Sequence, residues 1–129
     1  MNRWLFKTEP STYSFQDLLK VKKERWDGVH NPVALKNLRL IKKGDSILIY
    51  HTGEEKTVVG IAEAVSDPYP DPKDSKLVVI DIAADKPLQR PVTLAEVKSN
   101  PKLASWELAR LPRLSVMPVN EVQWKEVVA

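Results

Sequence analysis

Trp26 is the residue whose neighbours point most directly to chemistry. It is expected at a turn, after Lys22, Lys23 and Arg25 and before Asn31, so an aromatic face, three cations and an amide are strung along a short stretch of chain. An indole offers a flat surface on which a nucleobase can stack, and an amide carries both a donor and an acceptor for a base edge. The same residues also have structural uses. Asn31 before Pro32 is a helix cap, with Pro in the first helical position, whose amide needs no intrahelical partner. Trp106, followed by Arg110 and Arg113, repeats the pairing of indole and cations, and reads equally as a core tryptophan on a short helix. Trp4, in an apolar run, and Trp124, at the start of a helix, read as core.

Other chemistries find little support. The two histidines, His30 and His51, have no cysteine to join them, so no recognised zinc spacing exists. Four glycines do not make a phosphate loop or a dinucleotide fingerprint, and no Gly-x-Ser-x-Gly elbow occurs. Ser99-x-x-Lys102 is interrupted by Pro101, and Asp67, Asp71 and Asp74 lack the spacing of a calcium loop. Asp27 with His30 or His51 could form an acid and base pair, but spacing assigns no nucleophile to it. The expectation is a protein with no catalytic residue, metal or cofactor.

The 129 residues, 43% hydrophobic and 29% charged, suffice for one domain with a genuine core, taken as residues 1–129. No apolar run is long enough to span a bilayer, and Met1–Pro10 lacks the features of a secretory leader. Without cysteine, a reducing compartment, most simply the cytoplasm, is expected. The net charge of +3 is mild but unevenly placed: residues 1–60 carry eleven basic and seven acidic side chains, residues 61–129 nine and ten. Lys20 to Lys43 holds eight basic residues against Glu24 and Asp27. Such a patch suits a phosphate backbone, or else forms a solvated face on two short helices.

The elements that must position these residues follow from pattern. Trp4-Leu5-Phe6 predicts a first strand. Ser14 with Asp17 predicts a capped helix, and Asn31-Pro32 predicts a second, running with Leu35, Leu38 and Ile41 inward until Gly44. Ile47–Tyr50 and Thr57–Val65 predict a hairpin, with Gly60 a bulge or close-packing point. Asp67–Pro72, with three prolines, predicts a loop. A strand with Val78, Ile80 and Ile82 is expected to end at Pro87 and Pro91. Thr93 with Glu96 announces a short helix, Trp106–Leu111 another, Leu114–Met117 a closing strand, and Asn120 with Gln123 a terminal helix. This order is not a regular α/β alternation; it implies an α+β fold with a small, partly closed sheet.

Several segments together resemble the EVE domain family of the PUA-like superfamily. Trp4-Leu5-Phe6-Lys7-Thr8-Glu9-Pro10 is similar to the family's Trp-Leu-Phe-Lys-Ser-Glu-Pro, and Trp26-Asp27-Gly28-Val29-His30-Asn31 to its Trp-Asp-Gly-Val-Arg-Asn. Tyr50-His51-Thr52, Gly60-Ile61-Ala62-Glu63, Tyr69-Pro70-Asp71-Pro72, Pro91-Val92-Thr93-Leu94 and Arg113–Val119 are also family-like, in order along the chain. The resemblance implies a PUA-like mixed β-barrel of about five to six strands flanked by short helices. It also implies a pocket comparable to that of the related YTH domain, holding a modified base of DNA or RNA, with methylated cytosine the leading candidate.

Carried over by motif, Lys7, Thr8, Trp26, Val29, Asn31, His51 and Ser115 would lie in or beside that pocket, with Trp106 a further possibility. Lys36, Arg39, Arg110 and Arg113, with Lys7, would contact phosphates. The partner is then a nucleic acid carrying a modified base. The alternative is a PUA-like hydrolase acting on RNA or nucleotides through His51 and Asp27. Thr8 stands in place of the family serine, His30 in place of arginine, and Pro32-Val33-Ala34 in place of Tyr-Gln-Ala.

Overall fold

The computed structural model describes residues 2–128. Along the chain run β1 (Arg3–Thr8), α1 (Phe15–Val21), β2 (Lys23–Trp26), α2 (Pro32–Arg39), β3 (Ser46–His51), β4 (Thr57–Ala64), β5 (Tyr69–Asp71), β6 (Asp74–Thr93), α3 (Leu94–Ser99), α4 (Glu107–Arg110), β7 (Val116–Pro118) and α5 (Glu121–Val128). The strands form one mixed sheet in the order β2-β6-β4-β3-β1-β7, with β5 paired to β6. Only β1 with β3 is parallel among these pairings, in register Lys7 to Tyr50 and Thr8 to His51. The sheet is barrel-like without closing, in keeping with the α+β, PUA-like expectation, and has seven strands where the resemblance implies about five to six, the short β2 and β5 making the difference.

Hydrophobic burial organises it. Leu5, Phe6, Ile47, Leu48, Val58, Ala62, Ile80 and Ile82 are fully buried and form one cluster with Phe15 and Leu18 of α1 and Leu38 of α2. Gly60 admits α1 to the sheet, since a Cβ there would run into the Phe15 ring. It also sits among the register shifts of β4, so it serves both purposes expected of it. Asp45, buried, accepts from the Trp4 indole at 3.0 Å and from the Asn2 and Lys42 amides, which satisfies a carboxylate that would otherwise be costly inside.

The helix starts follow their caps. Ser14 accepts from Asp17 N while the Asp17 carboxylate accepts from Ser14 N; Thr93 with Glu96 and Asn120 with Gln123 repeat the reciprocal arrangement. The ends depart from expectation. α2 stops at Arg39, before Gly44, and Ile41 is buried from the turn beyond it.

Three strand expectations need correction. Pro87 and Pro91 do not end β6: Pro87 is opposite Gly60 at the start of a gap in the pairing with β4, and residues 88–91, Pro91 among them, have no partner on β4, so the missing N–H of Pro91 interrupts no ladder there. Asp67–Pro72 is not all loop, since Tyr69–Asp71 pairs with β6 and an edge position tolerates Pro70. The basic run after α1 does not lie on two helices. Lys22 caps α1 with φ 71°, and Lys23–Trp26 then runs as β2 against β6.

Candidate base-binding site

The last residues of β1, the turn into α1, the end of β2 and the loop after it surround a cavity of about 590 Å³. Trp26 forms its aromatic wall. As the last residue of β2 it is held opposite Ile80, which corrects the expectation of a turn position. Phe6, fully buried, packs behind the indole with centroids 5.4 Å apart, and Tyr13 meets it edge-on at 6.0 Å. Trp26 is a core residue with 9% exposure that also lines the cavity, so a small part of the indole meets open space while the rest is held by the core. Val29, reached through Gly28 at φ 77°, adds apolar surface.

The polar wall comes from three segments. Thr8 Oγ1 donates to Tyr13 O at 2.6 Å, tying the end of β1 to the start of α1, and Lys7 N donates to Ser115 O at 2.9 Å. Lys7 Nζ donates to Pro112 O at 3.0 Å and lies 5.7 Å from the Tyr50 ring centroid; burial lowers its pKa from the usual lysine range. Tyr13 Oη is buried and, among the described residues, has no partner in full hydrogen-bonding geometry, with the Glu24 carboxylate close enough to act on it. Burial first, then Glu24, pushes the phenol up to about 12, so it is neutral and able to donate. Glu24 and Asp27 place carboxylates on the same cavity. Arg25 lines it too, its Nε donating to Tyr69 Oη at 3.3 Å, and that hydroxyl in turn donates to Asp81 at 2.6 Å.

Of the residues carried over by resemblance, the structure brings Lys7, Thr8, Trp26, Val29 and Ser115 together on this cavity. Asn31 and His51 do not line it. Asn31 Oδ1 accepts from Val33 N at 2.9 Å and Ala34 N at 3.1 Å, which engages its acceptor in capping α2. His51 is 2% exposed; its Nε2 accepts from Phe15 N at 3.0 Å, so the proton sits on Nδ1 and faces Glu55 at 2.9 Å. Both ring nitrogens are thereby occupied in fastening α1 and the β3–β4 loop, and His51 forms no pair with Asp27. Trp106 is fully buried, its Nε1 donating to Pro118 O at 3.3 Å.

The four expected phosphate contacts also lie outside the cavity lining. Lys36 and Arg39 project from the exposed side of α2, Arg113 is exposed, and Arg110 Nε donates to Ser105 O at 2.7 Å. Tyr13 and Glu24 are cavity residues that sequence reasoning missed. Tyr13 reads as the residue before a helix cap; the signal for Glu24 is its isolation as an acid within a basic run. Among the described residues no group of three or more His, Asp or Glu is placed to hold a metal ion.

The family model of the EVE domain matches residues 2–129. The chain belongs to the EVE domain family. It is 26% identical over 164 aligned residues to human thymocyte nuclear protein 1, covering 99% of this chain and 73% of that protein. An NMR structure from Rhodopseudomonas palustris is 44% identical, with a TM-score of 0.94 and coverage of 99% of this chain and 91% of the other. A crystal structure of human THYN1 protein in complex with 5-methylcytosine-containing DNA has a TM-score of 0.88 at 24% identity, covering 98% and 95% of the two chains. These likenesses support the PUA-like fold and the family assignment.

Proposed function

We propose that this EVE domain is a non-enzymatic reader of a modified nucleobase in nucleic acid, with methylated cytosine the leading candidate. The observation that carries the reading is the Trp26 wall: an indole fixed by Phe6 and Tyr13, open to a cavity large enough for a planar ring. The base leaves its strand, stacks on Trp26 and presents its edge to the Tyr13 hydroxyl and the Glu24 carboxylate, a donor beside an acceptor. Cytosine complements that pair, offering a ring nitrogen to accept and an exocyclic amine to donate. Val29 supplies apolar surface for a methyl group. The DNA complex of the human relative, whose ligand contains 5-methylcytosine, supports the same class of ligand.

A buried methyl contributes about 0.8 kcal/mol, roughly fourfold in affinity, so stacking and edge contacts must supply most of the binding. Titration of matched single-stranded oligonucleotides, with and without 5-methylcytosine, followed by tryptophan fluorescence, tests the reading. Tighter binding of the modified strand is expected, with the preference lost in Trp26→Ala and reduced in the conservative Trp26→Phe. A folded Trp26→Phe protein that loses affinity equally for both strands, or a wild-type protein with no preference for the modified strand over the plain one, would overturn it.

A further inference from the structure

Beside the aromatic cavity, on the other side of Lys7, lies a second hollow of about 310 Å³. Its charged lining is wholly cationic: Lys7 from β1, Lys56 from the β3–β4 loop and Lys98 from α3. None of these three amines has a carboxylate partner within ion-pair distance among the described residues. Of the carboxylates near these lysines in sequence, Glu55 faces His51, Glu96 accepts from Arg90, and Glu9 accepts from Ser11 and, at the rim of the hollow, from Thr52.

The arrangement is built into the backbone. Lys56 occupies the left-handed region at φ 45°, a conformation uncommon for a side chain other than glycine, asparagine or aspartate, and its carbonyl accepts from Leu94 N at 2.8 Å. That bond fixes the loop to the first turn of α3, where Leu94 and Lys98, four residues apart, line the same hollow. Like charges gathered on a concave surface repel one another unless an anion joins them. Lys7 is common to both cavities, so an anion in the second lies one side chain away from a ring in the first.

We infer that the Lys7, Lys56 and Lys98 hollow is a phosphate subsite, which takes a backbone phosphodiester adjoining the nucleotide whose base enters the Trp26 cavity. The identification of that phosphate as part of a strand rests on the base-reading proposal; the anion site itself does not. Recognition at this hollow is blind to sequence, since a phosphate carries charge and position but no base identity.

The test uses three single strands, one with 5-methylcytosine, its plain twin and one abasic at that position, and the double variant Lys56→Gln/Lys98→Gln. Each lysine contact contributes about 0.7 to the salt slope on a single strand, so the slope should fall by about 1.4 and affinity by about 25-fold at 0.1 M salt. The loss should be alike for all three strands, leaving the preference for the modified strand unchanged. Lys73→Gln/Lys76→Gln, on exposed positions that line neither cavity, should leave all three affinities near wild type.

Unchanged affinity and slope on the abasic strand would overturn the subsite while leaving the base reading intact. If wild-type protein shows no preference for the modified strand but the double variant still loses the abasic one, the subsite stands and the base reading falls. NMR of the lysine side chains separates the phosphate sources. Shifts at Lys56 and Lys98 with the abasic strand support the assignment; shifts with inorganic phosphate alone and none with the strand overturn it.

Discussion

Tyr13→Phe should make the free protein more stable and the complex weaker, an opposition that few other accounts of the residue produce. Tyr13 Oη is buried without a partner in full hydrogen-bonding geometry among the described residues. Leaving such a group unsatisfied costs about 1–3 kcal/mol relative to its hydrated state, and the nearby Glu24 carboxylate offsets part of this. Removal of the oxygen alone should therefore stabilise the domain by about 1 kcal/mol, which raises Tm by roughly 4 °C for a chain of this size. Binding should move the other way: losing one donated hydrogen bond of about 1 kcal/mol weakens the modified strand roughly fivefold. Thermal unfolding and fluorescence titration of the same preparation read both. The titration of the phenol adds a second check. Its pKa is raised from 10 in the unfolded chain to about 12 when folded, so its contribution is intact below pH 10 and is lost as pH rises from there through 12. Wild type should thus lose stability faster than Tyr13→Phe across that interval. A lower Tm in the variant would refute the reasoning, because it would mean that the hydroxyl already has a partner.

Two further substitutions test the framework that holds the site. Asn31→Ala should cost about 1 kcal/mol in urea unfolding through loss of the α2 cap while leaving the preference between modified and plain strands unchanged; a lost preference would return Asn31 to base reading. Gly60→Ala should destabilise by about 1–3 kcal/mol, since the added methyl displaces Phe15 and with it α1, whose start carries Tyr13 into the cavity. Near-native stability in that variant would show that α1 can shift without disturbing the sheet.

The helix caps and the five strands with strong apolar pattern were legible in the sequence because each is a local matter: Ser14 with Asp17, or Ile47–Tyr50, states its structure within a few residues. β2 was not. Its sequence, Lys-Glu-Arg-Trp, has a single apolar residue, and the turn before it uses Lys22 at φ 71° where a glycine would have marked the helix end. Missing β2 placed Trp26 on a turn and spread the basic residues over two helices. The length of β6 was hidden for a related reason, since whether Pro87 breaks a strand depends on what β4 offers opposite it. The family motifs drew Asn31 and His51 toward the cavity because both stand in segments similar to the family's. Only their partners in space, the α2 amides and Phe15 N, show that their acceptor atoms are engaged elsewhere.

The end of β1 explains why two unlike cavities adjoin. Side chains alternate across a strand, so Phe6 and Thr8 face one way and Lys7 the other. On the first side Phe6 backs Trp26 and Thr8 holds the Tyr13 carbonyl, which builds the aromatic cavity. On the other, the parallel register sets Lys7 beside Tyr50, and the ammonium is held against that ring and the Leu111 and Pro112 carbonyls. Three consecutive residues therefore divide a cavity with an aromatic wall and groups of both charges from a hollow whose charged lining is cationic, as neighbouring parts of a nucleotide require: a flat ring with a polar edge on one side and a charged phosphate on the other. A substitution that keeps the charge of Lys7 but changes its reach, Lys7→Arg, strains the carbonyl contacts that aim the amine, so it should weaken plain and modified strands together and leave the Trp26 preference in place.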